Sequence, residues 1–323
     1  MSREDHPLSG RRAVVTGASG FIGRHLCRAL MSIGVETHGV TRTQRAQQSD
    51  EPRWWTSDWS DPRQTVELLS QLNPDLVFHF AGHVSGERDA KNVLPMLRSN
   101  VGTTVNLLLA AKELGLRVVL AGSMEEPIEL PRQSAPSSPY AASKAAASGY
   151  ARLFAELYGV EVAILRIFMV YGPGLQEGRR LVPYVIQSLL RGQTPQLAPG
   201  NRQMDWIYVD DVVNAALATA QAADIRGRTL DVGAGRMTTA REIASLITQI
   251  IGTNIQPEYG IVSSRPRETE YTADPAATER LIGWRPQVDL EEGLRRTIDW
   301  YRSHTDGVSS PASSLNSTTG AVS

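Results

Sequence analysis

Through the first half of the chain, short apolar runs alternate with longer segments of helical periodicity. Residues 13–15, 36–41, 76–80, 118–121 and 160–165 are brief and rich in Val, Ile or Leu. Apolar runs of this length predict strands covered on both faces. Between them, residues 21–33, 62–72, 93–113 and 139–157 have helix length. This alternation predicts βαβ units around a parallel sheet, an α/β fold. After Tyr171-Gly172-Pro173-Gly174 the rhythm changes, with Gly and Pro breaks at Pro195, Pro199-Gly200, Gly233 to Gly235 and Pro257. Helices are expected at 182–190, 210–222, 239–251 and 290–301. Thr239 with Glu242 reads as a capping box, and Asp289 with Glu292 resembles a second. The expected division is 1–174 for the sheet domain and 175–302 for a smaller lobe with segments returning to the core. Residues 303–323, poor in apolar anchors, read as a disordered tail.

Composition narrows this picture by exclusion. The 323 residues are 41% hydrophobic and 21% charged, ordinary globular usage that excludes a wholly disordered chain. Lys plus Arg number 33 against 34 Asp plus Glu, so net charge gives no sign of nucleic-acid or anionic-membrane binding. One cysteine, Cys27, excludes an intrachain disulfide framework and a multi-cysteine zinc site. Six histidines without H-x-x-x-H pairing or a carboxylate cluster predict no metal. A polar start and no long uncharged apolar run point to a soluble, cytoplasmic protein.

The first strand runs into Thr16-Gly17-Ala18-Ser19-Gly20-Phe21-Ile22-Gly23, at the opening of the first helix. Gly17 permits a tight turn, Gly20 lets backbone N–H groups approach a pyrophosphate, and Gly23 allows close helix packing. Ser19, Phe21 and Ile22 belong to the same dinucleotide cradle. At the end of the second strand stand Thr41 and Arg42, with no Asp or Glu to accept from a ribose 2′-OH. A guanidinium there pairs with a 2′-phosphate, which favours NADP(H), with NAD(H) as the alternative. Asp58 is a candidate for the adenine amino group, and a turn residue on the blander reading.

Tyr140 and Lys144 are four apart at a helix start, so they share a face. A neighbouring ammonium is expected to lower the phenol pKa, fitting Tyr140 for proton exchange with a substrate hydroxyl. Lys144 is also placed to hold the cofactor ribose. Ser123 ends the strand at 118–121, where ligands bind in open α/β sheets, and can relay that proton.

These motifs resemble an extended short-chain dehydrogenase/reductase of the nucleotide-sugar epimerase/dehydratase group. The resemblance spans about Arg11 to Arg302. It also draws on His79-Phe80-Ala81-Gly82, Tyr171 to Gly174, Trp206 to Val212, Asp231 to Gly235, Arg265-Pro266 and Leu281 to Pro286. It implies a Rossmann doubly wound parallel sheet, a smaller α/β substrate-binding domain and hydride transfer, usually at a sugar C4. The turn Ala81-Gly82 is then expected against the nicotinamide, with His83 and Ser85 toward substrate and Asn100 ordering the central helix.

Gly122-Ser123-Met124-Glu125-Glu126 is similar to the matching stretch of 4-keto-6-deoxyhexose reductases. Glu125 also matches the glutamate with which sugar 4,6-dehydratases remove a proton, whereas Met124 departs from their second acid. The expected reaction is most simply reduction of a nucleotide-linked 4-keto-hexose. The alternatives are a 4-epimerase or 4,6-dehydratase, a carbonyl reductase of a non-nucleotide metabolite, and an inactive cofactor-binding scaffold. Met169 and Met204 stand where the group has Asn and Arg on the nucleotide diphosphate. Arg202 and Arg265 are the expected substitutes, with Arg179 and Arg180 nearby. The segment between Ser123 and Tyr140 is shorter than usual, which implies a more open pocket. Small residues along 141–147 permit close helix approach, and the resemblance implies a homodimer.

Overall fold

The computed structural model describes residues 6–127, 135–174, 176, 180–261 and 270–304. The first half lays down β1 (Arg12–Thr16), α1 (Phe21–Ser32), β2 (Glu36–Thr41), β3 (Arg53–Thr56), α2 (Pro62–Leu72) and β4 (Leu76–His79). A short helix α3 (Val93–Met96) leads through a π-helical turn, Leu97–Gly102, into α4 (Thr103–Leu114). Then come β5 (Arg117–Ser123), α5 (Pro139–Tyr158), β6 (Val162–Ile167) and β7 (Met169–Tyr171). The second half adds α6 (Leu181–Leu190), β8 (Gln196–Leu197), β9 (Gln203–Tyr208), α7 (Val209–Gln221) and β10 (Thr229–Val232). It ends with β11 (Met237–Thr239), α8 (Ala240–Ile251), β12 (Glu258–Tyr259), α9 (Pro275–Ile282) and α10 (Leu290–His304).

Seven strands form one parallel sheet in the order β3-β2-β1-β4-β5-β6-β10. From β1 the chain first builds outward through β2 and β3, then returns to build the other way from β4. That reversal opens a crevice at the strand carboxyl ends between β1 and β4. Alternation along β1 divides the core: Ala13 and Val15 face α1 and α7, while Val14 faces α2, α4 and α5. Burial on both sides explains why these strands read as unbroken apolar runs. Cys27 is buried on the α1 side, where burial pushes its thiol up to about 12.

The smaller lobe has its own core, in which Val185 and Ile186 of α6 meet Ile243 and Ile247 of α8 and Leu294 and Ile298 of α10. Two buried carboxylates pin it to the sheet domain. Asp205 is fully buried and accepts the N–H groups of Ala234, Gly235 and Ala273 at 2.7, 2.9 and 3.1 Å. Asp211 accepts those of Gln287 and Val288, each at 3.0 Å. Strand β10, from the second half, completes the main sheet beside β6.

Two expectations change. The continuous helix read over 93–113 is broken by the π turn, which adds a residue to the repeat around Asn100. The tail read from Ser303 loses its first two residues to α10, where the His304 ring stacks on Trp300 at 4.4 Å. The rest of that tail lies outside the described residues. Among the described residues, no helix is long and apolar enough to cross a membrane, and no cluster of three His, Cys, Asp or Glu side chains could hold a metal.

Candidate active site

A cleft of about 1100 Å³ runs along the carboxyl ends of β1, β2, β4 and β5 and on toward α6. That exceeds the upper range for one small-ligand site and leaves room for a dinucleotide with a second ligand. Its floor is the turn from β1 to α1. Gly17 has φ +68°, and a Cβ there would stand 2.7 Å from the backbone of Phe80 and Ala81. A Cβ on Gly23 would collide with the Gly17 carbonyl. The N-cap, Gly20, supplies no side-chain cap, so the first N–H groups of α1 are open to the cleft. This glycine cradle fits a pyrophosphate, and Gly17, Ser19, Gly20, Phe21, Ile22 and Gly23 all line it.

Thr41, Arg42 and Asp58 line the end where an adenosine ribose would lie. The Asp58 carboxylate accepts the Ser60 N–H at 3.0 Å, and that bond chiefly holds its pKa below the usual range, with Arg42 contributing least. Arg45 instead lies over the Trp54 ring at 4.9 Å.

Ser123, Glu125, Tyr140 and Lys144 meet at the other end of the sheet crevice, with Ala81, Gly82, His83 and Ser85 opposite. Ser138 caps α5 by accepting the Ala141 N–H at 3.1 Å, which fixes Tyr140 in the first helical turn. The Ser123 hydroxyl lies within hydrogen-bond reach of the Tyr140 phenol. Lys144 is buried and donates to the Ala121 carbonyl at 2.7 Å. Burial pulls its ammonium below the usual lysine range, with the Glu126 charge opposing.

The phenol differs from expectation. Tyr140 is pushed up to about 12, first by burial, with Ser123 and Arg180 pulling the other way. The helical spacing brings Lys144 to the same site, but its ammonium is bonded to Ala121, and loss of solvent dominates at the phenol.

Asn100, on the π turn, accepts the His83 N–H at 2.7 Å and donates to the His83 carbonyl and Ser143 Oγ at 3.0 and 2.9 Å. It thus ties the cleft loop after β4 to α5. Met169 lines the cleft, whereas Met204 is buried in the small-lobe core beside Trp206. Arg202 is not among the cleft-lining residues; its carbonyl accepts the Ala240 N–H at the start of α8. Arg265 and Arg179 lie outside the described residues. Lys91 and Arg98, which had no role on the sequence reading, line the cleft, and Glu126, left open there between a solvated loop and a catalytic role, is buried. A charged residue three positions after a strand-end serine gave no signal of which way its side chain turns.

Comparison with known proteins adds the decisive observation: residues 13–233 match the model of the NAD dependent epimerase/dehydratase family. The chain belongs to that family. UDP-glucose 4-epimerase of Mycolicibacterium smegmatis is 30% identical over 318 residues, covering 90% of this chain and 99% of that one. Among solved structures, the Thermotoga maritima UDP-glucose 4-epimerase with UDP-glucose is similar at TM-score 0.82 and 25% identity, covering 91% and 99% of the two chains. MoeE5 in complex with UDP-glucuronic acid and NAD is similar at TM-score 0.80 and 30% identity, covering 90% and 99%. Family membership makes this chain an enzyme type with a Rossmann nicotinamide-dinucleotide site.

Proposed function

We propose that the protein catalyses NAD(P)-dependent oxidoreduction at C4 of a nucleotide-activated hexose, most simply as a 4-keto-hexose reductase using NADP(H). The convergence of Ser123, Tyr140 and Lys144 at the nicotinamide end of the glycine cradle carries this reading. A bound nicotinamide dinucleotide supplies or accepts the hydride. Tyr140, held as a neutral phenol, gives its proton to the oxygen that develops from a ketone. Ser123 bonds that oxygen and orients it. Lys144 would contribute positive charge beside the cofactor ribose and the reacting pair, and the absence of a side chain on Gly82 leaves space for Asn100 Oδ1, which a Cβ would meet at 3.0 Å. Arg42, with no carboxylate at Thr41, supports NADP(H) through the 2′-phosphate. Glu125 faces the cleft without a second acid at Met124, which argues against elimination as the main reaction.

A second reading is a 4-epimerase, carried by the whole-length similarity to UDP-glucose 4-epimerases. We further propose a homodimer. Ala142, Ala146, Tyr150, Leu153 and Leu157 form an exposed stripe on α5, beside exposed Leu109 on the neighbouring helix α4.

The test combines the purified protein with UDP-, GDP- and dTDP-hexoses and their 4-keto forms, following nicotinamide absorbance and product mass. Consumption of NADPH with a 4-keto sugar is expected, and Tyr140→Phe should lower kcat by about 10²–10⁴ while retaining cofactor. Interconversion of C4 epimers with no net NADPH use would install the second reading. No turnover across the panel would remove nucleotide-activated hexoses as substrates.

A further inference from the structure

The turn after β5 carries a carboxylate into the protein. Glu126 is 5% exposed. Its Oε1 accepts the Ser123 backbone N–H at 2.7 Å, and its own N–H donates to the Ser123 carbonyl at 3.1 Å. Residue 122 must be small for this. A Cβ on Gly122 would stand 2.7 Å from Glu126 Oε1 and 2.9 Å from Ile164 Cγ2. The glutamate therefore fills the space above a glycine of the sheet, directly behind the reactive serine.

Its electrostatic surroundings go beyond a backbone brace. The charges of Lys144 on α5 and Arg166 on β6 reach the carboxylate, and the Ser148 hydroxyl adjoins it. Arg166 pairs with Asp231 of β10 at 3.1 Å, while its Nε has no hydrogen-bond partner among the described residues. Tyr140 also feels the Glu126 charge, together with Glu125 on the same turn and Arg180 at the start of α6. His79 of β4 feels Lys144 from the other side. An amide would serve equally well to receive one N–H bond. A buried carboxylate is costly unless its charge is answered; here burial still pushes the Glu126 carboxyl up, against the hydrogen bonds from Ser148 and Ser123 and then the charges of Lys144 and Arg166.

We propose that Glu126 is a positioning residue of the active site: its buried carboxylate braces the turn that presents Ser123 to Tyr140 and sets its charge on the Lys144 side of that turn. The proposal rests on the assignment of Lys144 and Tyr140 to the reactive site, and it holds whichever sugar is bound. The burial that pulls the Lys144 ammonium down is opposed by this carboxylate.

The chain has three lysines, Lys91, Lys112 and Lys144. Protein labelled with ¹³Cε-lysine and saturated with its nicotinamide cofactor gives each a separate titration by NMR, with Lys144 assigned by its loss in Lys144→Met. Glu126→Gln keeps shape and acceptor but removes the charge. Lys144 should then titrate about one pH unit lower, while Lys91 and Lys112 stay put. Glu126→Asp, which keeps the charge but withdraws it, should move Lys144 in the same direction by less. It also serves as the deciding variant if Glu126→Gln does not fold. An unmoved Lys144 signal in the folded variant overturns the proposal. No substrate enters the measurement, so a failed hexose panel leaves its outcome intact.

Discussion

His79 shows how one side chain can link the site to stability. It ends β4 fully enclosed, with Nδ1 2.8 Å from Thr16 Oγ1 and its ring stacked on Trp59 at 5.9 Å. Burial first, and Lys144 second, push its pKa down from 6.5 to about 3. The unfolded chain takes up a proton as pH falls through 6.5, and the native chain refuses it until about 3. The contribution is therefore complete above 6.5 and is lost as pH falls toward 3, at most ~5 kcal/mol by linkage. His79→Gln should flatten the fall in urea-unfolding free energy between pH 6.5 and 4; an unchanged slope would assign that fall to other groups. At this scale, legibility followed locality. Gly17, Gly20 and Gly23 were readable as a turn because that turn spans eight residues, whereas the approach of Phe80 and Ala81 to Gly17 was not. Ser123, Tyr140 and Lys144 were readable from a strand end and a helical spacing. The phenol pKa was not, because desolvation depends on everything packed around the ring and on where Lys144 bonds.

Among elements, the π turn at Leu97–Gly102 does what an unbroken helix could not. The added residue rotates the face of the helix, so that Asn100 looks into the loop after β4 while Leu107 and Leu108 of α4 stay in the core. Apolar periodicity carried no sign of it, since one extra residue blends into a long helical pattern. Asn100→Ala removes bonds to both backbone groups of His83 and to Ser143. A loss of about 2–3 kcal/mol is expected, read as a lower thermal midpoint, with faster amide exchange confined to residues 82–86. A lower midpoint with unaltered exchange there would mean that Asn100 supports the helix and not the loop. The small lobe was less legible than the sheet domain for a related reason. Strands β7, β8, β11 and β12 have only two or three residues, too few for a period, and Asp205 and Asp211 anchor segments about 30 to 80 positions away.

For the whole molecule, the alternation of strands and helices was enough to specify a parallel sheet, whereas the joining of β10 to β6 depended on contacts between distant segments. What remains open at the surface bears on assembly. On α5, Ala142, Ala146, Tyr150, Leu153 and Leu157 recur every three or four residues along one exposed line, and Leu157 is 66% exposed. The opposite face of the same helix is buried through Ala147, Ala151 and Phe154, so the helix is apolar on two sides with only one of them covered within the chain. An uncovered apolar helix face is the kind of surface a partner covers, and it is what supports the proposed homodimer. The small residues at 142 and 146 let a second copy approach closely, and the larger Leu153 and Leu157 then supply the apolar area. The cleft-facing side is separate: Tyr140 and Lys144 line the cleft, and Ser143 is held by Asn100. The proposed homodimer therefore braces the helix that carries the reactive pair without entering the cleft. Leu153→Glu with Leu157→Glu should yield a monomeric mass by light scattering, with a lower thermal midpoint and cofactor still bound. A wild-type protein that is already monomeric at micromolar concentration, or a double variant that remains dimeric, would place the interface elsewhere or dismiss it.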